Sequence, residues 1–257
     1  MDFGAKINRA VGKAIHDYEL IREGDRILVA VSGGKDSLTM LHFLREFQRK
    51  APVRFELLAV NVDQGQPGFP KEVLPNLFRQ WDVPFHIETQ DTYSVVLEKT
   101  MPGKTYCAVC SRLRRGILYN IAREHGCNKI ALGHHRDDLI QTFLLNAFFS
   151  GQLGTMVPVY TIEAGDLQVI RPLFAVQEEW VVPYVAEREW PIIPCNLCGS
   201  QEGLKRKEMA RLLDELQTKF PEVKNSLFRA LGNPHTEQLL DRELWSDPTS
   251  AHPRGPQ

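Results

Sequence analysis

Six consecutive residues, Ser32-Gly33-Gly34-Lys35-Asp36-Ser37, stop an apolar β-branched run (Arg26 to Val31) and open an amphipathic one. The pattern predicts a strand, a tight turn and a helix. Two adjacent glycines let backbone N–H groups come close to an oxyanion. The positive end of the following helix, the hydroxyls of Ser32 and Ser37, and the Lys35 ammonium add converging donors, so a nucleotide phosphate is the guest that suits the turn. Ser-Gly-Gly alone would also cap a helix, with Asp36 well placed near its N-terminus. Capping, however, gives no reason for a lysine inside the turn. Nor is this a Walker A sequence, which places four residues between its first glycine and Gly-Lys-[Ser/Thr].

Cysteine supplies the second chemistry. Cys107 and Cys110 form one C-x-x-C pair, Cys195 and Cys198 form another, and Cys127 stands apart. Each pair falls at a loop–helix junction, where thiolates gain from the helix N-terminus and become metal ligands readily. A four-thiolate zinc site, an iron–sulfur cluster and a redox dithiol all fit. Zinc ribbons space their pairs about 15 to 20 residues apart, whereas 84 residues intervene here, so the pairs meet only through the tertiary fold. Spacing alone puts structural zinc slightly ahead of a cluster, with a redox dithiol third. Cys127, next to the capping Gly126, reads as a buried apolar thiol.

Three acids stand at strand ends, the side of an open parallel sheet on which ligands bind: Asp63, Asp137 and Asp138. The last two also suit the start of a helix, worth about 0.3 to 1 kcal/mol each. The neighbouring His134 and His135 read as satisfied strand-end histidines rather than as metal ligands. Basic runs at Arg112, Arg114 and Arg115, and at Lys205, Arg206 and Lys207, follow the two cysteine pairs. Either is a solvated helix face or a local nucleic-acid patch.

The elements that must position these residues follow from periodicity. Ile7, Val11, Ala14, Ile15, Tyr18 and Ile21 mark a helix ahead of the first strand, and Leu38, Leu41, His42, Leu44 and Phe47 mark the helix after the turn. A second strand over 55–62 ends in a loop rich in turn residues from Asp63 to Pro70. A helix over 71–81 and a strand over 85–88 come next, and 92–105 is irregular. A helix from Cys107 to Gly126, a strand over 129–132, and an apolar helix from the Gly133–Asp138 run to Phe149 follow. Four β-then-α units in succession predict a parallel sheet covered on both faces. Residues 157–162 and 167–170 flank Ala164-Gly165-Asp166 as a hairpin feeding a fifth strand. A helical segment over 180–190 is weakened by Pro183. Residues 191–199 form a rigid loop, and a helix over 204–220 and the segment 223–231 close the fold.

The expected class is therefore α/β: an open parallel sheet of about five strands with helices on both faces, plus C-terminal helices. The expected organisation is an N-terminal helix (1–24), an ATP-binding α/β domain (25–175), a helical segment carrying the second cysteine pair (176–232) and a loosely ordered tail (233–257). The chain has 257 residues, 43% hydrophobic and 25% charged, ordinary for a globular protein. About 70 to 75% of the unfolded surface can be buried at this size, so no disulfide is needed and the cysteines are free for chemistry. No apolar stretch nears the roughly 20 residues of a membrane helix, and no secretory core opens the chain. A cytoplasmic protein with reduced thiols is expected. A net charge of -1 excludes a uniformly basic nucleic-acid binder.

Ser32 to Ser37 resembles the PP-loop of the ATP pyrophosphatase superfamily (HUP-like fold), whose members bind ATP at this turn, transfer AMP to a carbonyl or carboxyl oxygen and release pyrophosphate. Cys107 to Gly116 (CAVCSRLRRG), Gly133 to Asp138 (GHHRDD) and Pro194 to Ser200 (PCNLCGS) together resemble the tRNA 2-thiocytidine synthetases. Those enzymes replace the C2 oxygen of cytidine 32 in the anticodon loop by sulfur. The resemblance runs from about Ile27 to about Phe220.

It implies a [4Fe-4S] cluster held by Cys107, Cys110 and Cys195 with one iron open, and Cys198 as sulfur relay or cluster neighbour. It implies ATP at Ser32, Gly33, Gly34, Lys35, Asp36, Ser37, Asp63 and Gly133, with Mg²⁺. Catalytic roles fall to Lys35, Asp36, Asp137 and Cys195, and tRNA phosphate is expected against Arg112, Arg114 and Arg115. The expected partners are tRNA, a sulfur donor such as a cysteine desulfurase, and a second copy of the chain as a homodimer, with no membrane. Two rival readings stay open. Another PP-loop tRNA-modifying enzyme, a uridine thiolase or a lysidine-type ligase, is one; the lysidine type leaves four cysteines unexplained. A zinc-stapled RNA-binding protein is the other, and it leaves Lys35, Asp36 and Asp137 unexplained.

Overall fold

In the apolar run Arg26–Ala30 (β1), Ile27, Leu28 and Val29 are inaccessible to solvent, as a central strand of a parallel sheet requires. The computed structural model describes the backbone of residues 2–65, 68–91, 106–193 and 201–240, and side chains at all of these except 106–111 and 201–204. β2 (Glu56–Asp63) and β4 (Lys129–Ala131) flank β1 in parallel, with Ile27 opposite Leu57 and Leu28 opposite Ile130. β3 (Phe85–Thr89) lies outside β2, and β6 (Gln168–Ile170) outside β4, both parallel. β5 (Val159–Thr161) pairs antiparallel with β6, and the order is β3-β2-β1-β4-β6-β5.

The sheet thus has six strands, one more than expected, and the added edge strand is antiparallel. The cause is the short turn through Gly165, whose φ of 80° is open to glycine, so both arms of the hairpin join the sheet while only the second continues the parallel series.

Eight helices accompany these strands among the described residues: α1 (Phe3–Asp17), α2 (Lys35–Lys50), α3 (Val73–Gln80), α4 (Tyr106–Glu124), α5 (Arg136–Ser150), α6 (Glu178–Ala186), α7 (Gln201–Lys219) and α8 (Val223–Leu231). Strand alternation divides the core. Ile27, Val29, Leu57 and Ala59 face a core with α1, α2, α3 and α6, while Leu28, Leu58 and Val60 face another with Ile117, Leu118 and Ile121 of α4. Ile140 and Leu144 of α5 pack with Met209 and Leu213 of α7 in a third cluster. Pro183 lies inside α6, which stops at Ala186 rather than reaching residue 190.

Cys127 is buried, and that burial raises its thiol pKa above the usual value. Residues 233–240 are exposed except for the half-buried Leu239, and their one regular element is a short 3-10 turn, Thr236–Gln238. Among the described residues no helix is long and apolar enough to cross a membrane. The irregular stretch 92–105, the second cysteine pair and the tail beyond residue 240 lie outside the described residues.

Candidate functional site

The phosphate turn is built from its own hydroxyls. Ser37 Oγ donates to the Gly34 carbonyl at 2.9 Å, Ser32 and Ser37 hydroxyls stand 3.3 Å apart, and the Gly34 N–H points to Ser32 Oγ at 3.4 Å. Gly33 has a φ of 89°, and a Cβ there would lie 2.8 Å from Ile193 Cδ1. The Ile193 N–H donates to the Gly33 carbonyl at 3.0 Å, so the segment leading to the second cysteine pair is fastened to the turn. Gly133, past the end of β4, abuts the start of α2: a Cβ there would lie 3.2 Å from the Ser37 amide nitrogen.

Lys35 Nζ reaches Asp36 Oδ2 at 3.0 Å and Glu178 Oε1 at 2.8 Å. Burial opposes its charge, but the two carboxylates outweigh it and hold the ammonium pKa above the usual lysine value. Burial raises the Asp36 carboxyl, and the opposing pull of His135 and Lys35 does not cancel it. The buried His135 ring lies 3.7 Å from Asp36, 3.9 Å from Asp137 and 3.6 Å from Asp138. These groups border an open cleft of about 270 Å³, lined by Lys35, Asp36, His135, Asp138, Gln141, Glu178, Arg206, Lys207 and Ala210.

Asp137 and Asp138 part company. Asp137 is 3% exposed and is not in that lining. Its Oδ2 accepts the Glu178 N–H at 3.0 Å, and its Oδ1 lies 3.5 Å from Arg136 and 3.6 Å from Lys224. Burial raises the Asp137 pKa, yet Arg136, the Glu178 N–H, His135 and Lys224 together hold it below the usual carboxylate value. Asp138 instead faces the cleft, accepts the His135 backbone N–H at 3.1 Å and pairs with Arg206 at 3.2 Å.

Asp63 is 2% exposed; it accepts the Gly65 N–H at 2.9 Å and lies 3.5 Å from Lys71, outside the cleft lining. Arg112, Arg114 and Arg115 are exposed along α4. Cys107 and Cys110 stand in the first turns of α4, three residues apart, but their side chains lie outside the described residues, as do Cys195 and Cys198 altogether. Among the described residues no group of three or more His, Cys, Asp or Glu is arranged to hold a metal ion. Glu178 and Arg206 line the cleft although sequence reasoning does not single them out for it. Arg206 has a signal in its basic run, whereas Glu178 belongs to no motif.

A mostly parallel sheet whose first strand feeds Ser-Gly-Gly-Lys-Asp-Ser into a helix defines a PP-loop protein, and residues 4–194 match the PP-loop domain. The fold is similar to that of the U34-tRNA thiolase NcsA from Methanococcus maripaludis, solved with its [4Fe-4S] cluster. The TM-score is 0.71 at 23% identity, over 90% of this chain and 78% of that one. Sequence similarity is closer to the tRNA-cytidine(32) 2-sulfurtransferase of Delftia acidovorans, 54% identical over 93% of this chain and 76% of the relative. Its counterpart from Anaeromyxobacter dehalogenans is 51% identical over 98% and 87%. The chain belongs to the tRNA-cytidine(32) 2-sulfurtransferase family.

Proposed function

We propose that this chain is an ATP- and iron–sulfur-dependent tRNA thiolase that replaces the C2 oxygen of cytidine 32 by sulfur. The observation that carries the reading is the Ile193–Gly33 pairing. Cys195 follows Ile193 by two residues, at most about 7 Å of extended chain, so groups suited to activating oxygen and to handling sulfur belong to one neighbourhood. The family's name and the tRNA-thiolase likeness of the fold support the same assignment.

A cytidine oxygen cannot leave as oxide. The base O2 attacks the α-phosphorus of ATP, pyrophosphate departs, and sulfur at the sulfide oxidation level then adds at C2 and expels AMP. The turn formed by Ser32, Gly33, Gly34, Lys35, Asp36 and Ser37 receives the phosphates, and Lys35 stabilises the charge that develops on them. Asp36, beside the turn, would hold a Mg²⁺ ion that enters with the nucleotide, and the ion would supply further stabilisation of phosphate charge. Gly133 keeps the end of β4 close against α2, and Asp63 sits at the end of β2 on the same edge of the sheet. Asp137 acts as a positioning residue, since it holds the N-terminus of α6 and thereby Glu178 against Lys35.

Cys107, Cys110 and Cys195 are the ligand set for a [4Fe-4S] cluster, and the first turns of a helix favour the thiolate form of the first two. When bound, the cluster supplies an iron with an open coordination position for sulfur. Cys198 is the relay or cluster neighbour, and the sulfur donor is a protein such as a cysteine desulfurase. Arg112, Arg114 and Arg115 meet tRNA phosphate, and a base already unpaired in an anticodon loop is cheap to present. The cytoplasm, where thiols stay reduced, is the compartment that suits an enzyme with free motif cysteines. Replacing Lys35 by alanine should lower tRNA-dependent pyrophosphate release by about 100-fold while leaving bound iron unchanged. Undiminished release would place the nucleotide elsewhere.

A further inference from the structure

The His134 imidazole is held by an arginine. Arg171, buried just after β6, points its Nε–H at His134 Nδ1 over 3.3 Å. The same guanidinium donates from Nη1 to the Val157 carbonyl at 2.6 Å and stands 5.4 Å from the centre of the Tyr160 ring, so its direction is fixed. A guanidinium carries donors only and keeps its proton, which makes Nδ1 the acceptor. In an uncharged ring the proton then resides on Nε2.

Burial is the chief force keeping the ring neutral, with Arg171, Arg206 and His135 acting in the same sense and Asp138 against them; together they push its pKa down to about 4. The groups around it are Asp138 and His135 by α5, Arg206 of α7 and Arg171, with Tyr160 of β5 and Tyr119 and Arg115 of α4 around Arg171. His134 is absent from the cleft lining, yet it is within electrostatic reach of Asp138 and Arg206, which line the cleft. Arg171 in turn is within electrostatic reach of Arg115, one of the α4 arginines.

We propose that His134 donates its Nε2–H to N3 of the pyrimidine being thiolated and that Arg171 is the positioning residue that fixes this tautomer. The inference rests on the tRNA-thiolation reading and extends it to base choice. Cytidine offers an acceptor at N3, whereas uridine carries a hydrogen there and would set donor against donor. A site built around one hydrogen bond rejects a base that cannot make it. Holding N3 also leaves O2 free to attack ATP.

Nitrogen-15 histidine spectra of the cluster-bearing chain should show His134 as the Nε2–H tautomer, untitrated from about pH 5 to 8, the range in which an ordinary histidine changes charge. Arg171→Gln should give mixed tautomers and a titration in that range. Should that variant not fold, His134 variants decide. With tRNAs carrying C or U at position 32, His134→Ala should lose about 100-fold in cytidine thiolation and much of the preference for C. His134→Gln, which retains an N–H of similar reach, should recover a large part of both. An Nδ1–H tautomer in the wild type, or an unaltered C preference in His134→Ala, would overturn the inference. A wild-type chain that thiolates neither tRNA would instead overturn the functional reading, and the tautomer would still be measurable.

Discussion

The Ile193 N–H is bound to the Gly33 carbonyl at 3.0 Å, and the Ile193 side chain fills the space that a Cβ on Gly33 would need. The phosphate turn and the approach to the second cysteine pair are thus one packed unit.

Gly33→Ala therefore meets two penalties, a left-handed φ and a 2.8 Å contact. Together these should remove about 2 to 4 kcal/mol of stability, read by chemical denaturation, and weaken ATP binding. A loss below about 0.5 kcal/mol, the usual effect of a surface substitution, would mean that the turn and Ile193 move independently.

Asp36 gives a prediction of opposite sign. Burial keeps its folded pKa above the unfolded value, so the folded chain holds the proton more tightly and stability falls as pH rises from the unfolded pKa through the folded one. Asp36→Asn should accordingly have a higher Tm than wild type at pH 7, a difference that closes below about pH 4, while ATP-dependent pyrophosphate release is lost. Lower stability of the variant at pH 7 would contradict the assignment of strain to this carboxylate.

At Asp137 the linkage runs the other way. Its folded pKa lies below the unfolded value, so its contribution is complete above the unfolded pKa and disappears as pH falls through the folded one. Asp137→Asn should cost about 3 kcal/mol at pH 7, because Arg136 and Lys224 lose a buried counter-charge, and should flatten the acid limb of the stability curve. An unchanged acid limb would show that the carboxylate is not the group that titrates.

How much of the site is legible in the sequence depends on whether the signal is local. The continuous apolar run of β1 and the glycines after it specify strand and turn directly, and the closing segment 223–231 is the helix α8, Val223–Leu231. Asp137 and Asp138 are adjacent in sequence, but successive helical residues point about 100° apart. Only the hydrogen bond from the start of α6 and the packing of α7 against α5 show that Asp137 turns to Glu178 and Asp138 to the cleft. Glu178, Arg206 and Arg171 reach the site from distant elements, and no spacing rule marks such arrivals. The antiparallel edge strand is hidden similarly, because a short hairpin does not announce which arm joins the parallel series.

The α4 arginines bear on tRNA. Charge removal at Arg114 or Arg115 should weaken tRNA binding and reduce the slope of log affinity against log salt by about 0.9 for each phosphate left unneutralised, or about 0.7 where the RNA is single-stranded. Fluorescence anisotropy across a salt series reads this. A parallel, unshifted salt dependence would assign tRNA binding to another face.

Nucleoside mass spectrometry of unmodified tRNA after incubation with the anaerobically prepared, iron-bearing chain, ATP, Mg²⁺ and a sulfide source tests the central claim most directly. The expected product is 2-thiocytidine at position 32, with none when ATP is omitted and formation about 100-fold slower with Lys35→Ala. Sulfur in a uridine with cytidine 32 untouched, or 2-thiocytidine formed without ATP, would contradict the proposed function.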